Sequence, residues 1–114
     1  MSDAAVRAYA DASGDHNPLH LDAAFAANTP YGRPIAHGML VLARLSELFT
    51  VAFDGGWLAS GSLKVRFRAP VFPGQTVSAE ATLKGEADGR ATYEATVRNE
   101  QGEAVITGEA SVVL

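Results

Sequence analysis

The stretch GMLVLARLSELFTVAF, Gly38 to Phe53, constrains the fold of this chain more than any other segment. Met39, Leu40, Val41, Leu42, Leu45, Leu48, Phe49, Val51 and Phe53 place apolar side chains around most of a helical circumference. A surface helix shows one apolar stripe, so a segment apolar nearly all round is expected to be buried. Arg44 and Glu47 interrupt it, and it is too short to span a bilayer. Gly55-Gly56 is expected to end it. A helix that must be covered needs covering elements in the same chain, and 114 residues suffice for one domain, 1–114, with a real core.

The covering elements come next in the chain. From Trp57 onward the hydrophobic period changes to two. GSLKVRFRAP alternates Leu63, Val65 and Phe67 with Lys64, Arg66 and Arg68. TVSAEATLKG alternates Val77, Ala79, Ala81 and Leu83 with Ser78, Glu80, Thr82 and Lys84. ATYEATVRN and EAVITGEASVVL complete the set, and Pro73-Gly74, Asp88-Gly89 and Gln101-Gly102 supply turn chemistry at the joints. This spacing predicts four sequential strands in an antiparallel meander with one apolar face. Helices precede strands, so the class is α+β, and the most economical packing is a curved sheet wrapped around the Gly38 helix.

Ahead of that helix, DAAVRAYADA reads as a first helix capped by Ser2 or Asp3, with Gly14 where a left-handed C-cap is usual. Asn17-Pro18 is expected to keep the next stretch out of helix, because proline drives its predecessor to an extended conformation. Asp22 can cap a short turn in AAFAAN, and TPYGRP follows as a loop.

The chain's polar chemistry gathers in this N-terminal region. All three histidines, His16, His20 and His37, precede the apolar helix, with Asp11, Asp15 and Asp22. Gly38 opens the helix, where unpaired N–H groups and the positive end of the helix dipole suit a developing negative charge. Its missing side chain lets a carbonyl approach the amide. Asp15 and His20 facing the Gly38 N–H would suit proton transfer beside a carbonyl, with an enolate-like charge held by the amide. Taken singly, Asp15 is a natural Asx-turn residue and His20 a natural loop histidine, and it is their pairing near Gly38 that points to a site. His37 is expected to hydrogen-bond the loop before the helix, and His16 to be exposed. Asp15, His16, His20 and His37 have no recognised metal-ligand spacing, so no metal is expected. Ser46, inside the helix, is expected to bond back to the Leu42 carbonyl. Lys64, Arg66 and Arg68 are expected to form a solvated sheet face.

Composition removes several function classes. With no cysteine there is no thiolate nucleophile, disulfide or Cys-based zinc site. A net charge of −4 offers no footprint for nucleic acid or an anionic membrane. MSDAAVRAYADAS lacks the apolar run of a signal peptide, so a cytoplasmic location is expected.

YADASGDHNPLHLD followed by GRPIAHGML resembles the signature of the MaoC-like dehydratases, the (R)-specific enoyl-CoA hydratase family, and VRFRAPVFPGQTV is similar to a later strand and turn of that family. The resemblance covers nearly the whole chain. It implies the hotdog fold, a sheet wrapped around a long helix, and a homodimer or higher oligomer of dimers. It also implies reversible hydration of a trans-2-enoyl thioester to the (R)-3-hydroxyacyl thioester. No cofactor is implied beyond the coenzyme A or acyl-carrier pantetheine of the substrate. By resemblance, Asp15 and His20 activate the water, Asn17 holds the loop, the Gly38 N–H polarises the thioester carbonyl, and Ser46 supports the aspartate. Phe25, Tyr31, Leu40 and Trp57 are expected to line the acyl tunnel. Family members commonly begin with a strand ahead of the first helix; here a helix starts near Met1, so the sheet is expected to lack that strand. Thioester hydrolysis and a non-catalytic acyl-binding subunit are the competing functions, the second disfavoured by the intact Asp15/His20 pair.

Overall fold

The computed structural model describes residues 1–114. Helix α1 (Asp3–Ser13) starts where the Ser2 hydroxyl accepts from the Ala5 N–H and ends at left-handed Gly14. Helical turns α2 (Pro18–Leu21) and α3 (Ala23–Ala26) follow, capped by the side chains of Asn17 and Asp22. Then come α4 (Gly38–Phe53), α5 (Gly55–Ser60) and the strands β1 (Ser62–Phe67), β2 (Ser78–Ala87), β3 (Arg90–Arg98) and β4 (Ala104–Val113). No helix is long and apolar enough to cross a membrane.

The strands form one open antiparallel sheet in the order β1-β4-β3-β2. Only β2, β3 and β4 are a meander; β1 lies beside β4, at the far edge from β2. The simple four-strand meander is thus corrected. The joint from Arg68 to Val77 holds Pro70 and Pro73 and is too long for a hairpin, so it carries the chain across the end of the sheet. Gly108 permits the β1–β4 pairing at close range, since a Cβ there would stand 2.2 Å from the Lys64 carbonyl oxygen. No strand precedes α1. Instead the Met1 ammonium donates to the Gln75 carbonyl (2.8 Å) and the Gly74 N–H donates to the Met1 carbonyl (2.6 Å).

Helix α4, about 24 Å long at 1.5 Å per residue, lies across the inner face of the sheet. Val41, Leu45 and Phe49, at successive steps of four, are its buried stripe. They join Val6, Trp57, Val97, Ile106, Ala110 and Val112 in one core. Fully burying a side chain of this size contributes roughly 1.5–3 kcal/mol. Burial all round does not hold: Met39 is 58 % and Val51 80 % exposed. A single sheet can cover only one side of a helix, and Met39 and Val51 remain open to solvent.

Gly55-Gly56 does not terminate the helical region. The break is at Asp54, with φ 50° and ψ −133°, and both glycines begin α5, which also contains Trp57. Period two therefore begins at Ser62 rather than Trp57. Asp54 holds a conformation that suits glycine, and its side chain makes no capping bond. Replacing it should relieve strain of about 1–3 kcal/mol. Asp54→Gly is expected to raise the urea midpoint; an unchanged or lower midpoint would show that the backbone is not strained there.

On the outer face, Lys64, Arg66 and Arg68 are exposed, as expected of a solvated stripe. Arg68 donates through Nε–H to the Thr107 hydroxyl (2.9 Å). Lys84 and Glu109 pair across the same face, their hydrogen bond raising the lysine pKa and lowering that of the glutamate. Both side chains are about half exposed, at 49 % and 51 %, so solvent screens this pair.

Candidate active site

Two loops converge beside the start of α4. The first runs from Gly14 to His20. Its backbone is shaped locally by the Ser13 hydroxyl accepting from the Asp15 N–H (3.1 Å) and Asp15 Oδ1 accepting from the Asn17 N–H (3.2 Å). Asn17 Oδ1 in turn accepts from the Leu19 N–H (3.0 Å). Asn17-Pro18 does not exclude helix, contrary to the expectation from sequence. Asn17 is extended in the sense expected before proline, with ψ 127°, but Pro18 then occupies the first position of α2. Proline suits that position because its absent N–H would have no intrahelical partner. His20 therefore stands on a short helical turn rather than in an irregular loop.

The second loop runs from Pro34 to Gly38. Its Ile35 N–H donates to the Leu19 carbonyl (3.3 Å) and its Ala36 N–H to the Val71 carbonyl (2.7 Å). The half-buried His20 donates from Nδ1–H to the Ile35 carbonyl at 2.7 Å. A carbonyl only accepts, so this bond assigns the hydrogen to Nδ1 and leaves Nε2 of His20 as an acceptor.

His37 completes the junction. It is 2 % exposed, and its Nε2–H donates to the backbone carbonyl of Asp15 at 2.9 Å. Its ring stacks on that of His20 with centroids 3.9 Å apart and packs against Tyr9 at 4.9 Å. Asp15, His20 and His37 thereby bring one nitrogen or oxygen each within 4.8 Å of one another. The sequence-derived pair, Asp15 and His20, is assembled as expected, with a third member that spacing did not suggest. His16 lies apart, exposed and bonded to Asp11 at 3.1 Å.

Beside His20 opens a cavity of about 360 Å³, walled by Tyr31, Ile35, Gly38, Phe67, Val71 and Ile106 among others. Gly38 is exposed, and its N–H has no acceptor in the chain, while the Leu40 and Val41 N–H groups both donate to the His37 carbonyl. A free amide at a helix start, in an apolar cavity with an imidazole acceptor, can stabilise an oxyanion while a proton moves nearby. A Cβ on Gly38 would stand 2.9 Å from the Phe67 ring, so the glycine keeps the passage between α4 and β1 open.

Of the expected tunnel residues, Tyr31 lines the cavity; Phe25, Leu40 and Trp57 do not. Phe25 is 48 % exposed on α3, and Leu40 packs against the core. Trp57 is buried against Phe49, ring centroids 4.7 Å apart, because α5 folds back onto α4. Its indole N–H donates to the Ser46 hydroxyl at 3.1 Å. Ser46 therefore pairs with this indole and makes no bond to Asp15 or to the Leu42 carbonyl. Asn17 uses its side chain to cap α2, a loop-holding role. The cavity residues that sequence reasoning missed, among them Phe67, Val71 and Ile106, come from β1, the crossing joint and β4. The prolines that break the period-two pattern after Phe67 were the available signal.

Comparison with known proteins places this arrangement in context. The family profile described as MaoC like domain matches residues 1–105. The (R)-specific enoyl-CoA hydratase of Aeromonas caviae is 39 % identical over 113 residues, spanning 97 % of this chain and 84 % of that protein. The 3-hydroxyacyl-thioester dehydratase Z of Mycobacterium tuberculosis strain H37Rv is 43 % identical over 97 residues, 81 % of this chain and 64 % of that protein. In structure, the chain superposes on the A. caviae (R)-hydratase involved in PHA biosynthesis with a TM-score of 0.88 and 36 % identity, covering 100 % of this chain and 88 % of the other.

Proposed function

The chain belongs to the MaoC-like domain family, and on that footing we propose that it is a hydro-lyase adding water reversibly to a trans-2-enoyl thioester. The product is the (R)-3-hydroxyacyl thioester. The observation that carries this reading is the free Gly38 N–H in one cavity with His20, whose Nδ1 is already bonded to Ile35.

Water lies between Asp15 and His20. Asp15 accepts one of its hydrogens and orients it, and His20 Nε2 takes the other as oxygen bonds to the β-carbon. The C=C electrons move onto the thioester, and the Gly38 N–H holds the charge that develops on its oxygen. His20 then returns a proton to the α-carbon from the same face, giving syn addition. Atoms balance as one water added, and dehydration is the reverse. Proton transfer and an amide donor complete the step, so neither metal nor cofactor enters it. Full activity after dialysis against EDTA is expected; loss restored by a divalent cation would return Asp15, His20 and His37 to consideration as ligands.

The direct test follows the enoyl-thioester absorbance with crotonyl-CoA, longer enoyl-CoAs and their carrier-protein counterparts. Its loss with formation of the 3-hydroxyacyl product is expected. Free thiol without that product would instead identify a thioesterase, and no turnover of any enoyl thioester would favour the non-catalytic subunit. We also place the protein in a homodimer. The uncovered side of α4, with Met39 and Val51, and the unpaired edge of β1, with Phe67 55 % exposed, support this. A monomer mass in sedimentation at micromolar concentration would refute it.

A further inference from the structure

We infer that His37 is a positioning residue for the hydration, a strut whose imidazole sets where Asp15 stands relative to His20. This rests on the proposed roles of those two residues. Asp15 is exposed, and the bonds to its N–H and carboxylate come from Ser13 and Asn17, two residues away on either side. Such local bonds shape the turn but do not fix its distance from anything else. The long-range bonds between the two loops are Ile35 to Leu19, His20 to Ile35, and His37 to Asp15. The first two hold the His20 end of the loop. His37 alone reaches the Asp15 end, 22 residues away in sequence.

The imidazole suits this task in two ways. Its Nε2–H reaches the Asp15 carbonyl, and its flat ring supports the face of His20 at 3.9 Å. Its other nitrogen, Nδ1, is buried with no partner. Leaving a buried polar atom unpaired is unfavourable for stability alone, so a residue chosen for stability would not carry one. The same residue is the N-cap of α4 and directly precedes Gly38. One buried side chain therefore joins the Asp15 backbone to the His20 ring beside the Gly38 amide, and a misplacement of about 1 Å at such a site can cost about 100-fold in rate.

The test compares His37→Gln with His37→Asn. Both remove the ring, but a Gln amide nitrogen reaches the place of Nε2 and an Asn nitrogen only that of Nδ1. H37Q is expected to keep kcat at least tenfold above H37N, with KM for crotonyl-CoA within about twofold in both. In an Asp15→Asn background the two variants should become equal, because the strut acts through Asp15. Equal kcat for H37Q and H37N, or a difference that survives in the Asp15→Asn background, would overturn the inference. Should H37N fail to fold, His37→Phe supplies a variant that keeps a ring without the donor. If Asp15→Asn and His20→Ala themselves leave the rate unchanged, it is the proposed catalytic roles that fail, an outcome separate from either result at His37.

Discussion

His20→Ala and Asp15→Asn are each expected to lower kcat/KM for an enoyl-CoA by about 10²–10⁴-fold, the range of positioned acid–base groups. His20 is expected to be the larger loss, because the proposed mechanism passes the proton through its Nε2. Asp15→Asn keeps the shape and can still accept from the Asn17 N–H, so the turn should survive and only the carboxylate's hold on water is lost. His20→Ala also removes a donor from the Ile35 carbonyl, at a stability cost of about 1 kcal/mol. If both residues act on one water as proposed, the double variant should fall little below the worse single variant. Stopped-flow or steady-state loss of enoyl absorbance, with melting curves as control, measures all three. A wild-type rate in either single variant would remove that residue from the mechanism.

Gly38→Pro should lower kcat about 10²–10³-fold, the usual cost of one oxyanion donor. Proline is tolerated at the first position of a helix, and His37, with φ −59° and ψ 133°, already has the backbone required before it. The substitution removes one N–H but also adds bulk facing Phe67. Gly38→Ala is the matched control, since it adds a Cβ against the same ring and keeps the amide. Phe67 is 55 % exposed, so its ring can yield, and Gly38→Ala should chiefly raise KM. The proline variant should fall at least tenfold below the alanine variant in kcat. Equal kcat for the two would mean that the amide does not hold the developing charge.

Much of this architecture was legible locally. The Ser2 and Asp22 caps follow from side chains acting on backbone within a few residues, and the Gly14 stop from the left-handed conformation that glycine suits. The alternation in β1 to β4 was equally plain, as was the closeness of Asp15 and His20. Other features depend on contacts distant in sequence. Trp57 read as the start of the period-two region, but the Asp54 bend turns it under α4, where it meets Phe49 and Ser46. Leu40 carries the side chain of a tunnel residue yet faces the core, because the rotation of α4 is set by where Val41, Leu45 and Phe49 meet the sheet.

By itself, the sequence determined α1, α4 and the four strands, the α+β class, and that a loop acid and imidazole precede the start of α4. Those outcomes rest on periodicity, capping and turn chemistry, whose reach is a few residues. Only the tertiary structure decided that β1 lies beside β4, that Phe67, Val71 and Ile106 wall the cavity, and that His37 ties Asp15 into the site. Strand neighbours and buried hydrogen bonds are selected by competition among all surfaces of the folded chain, a choice no local pattern encodes.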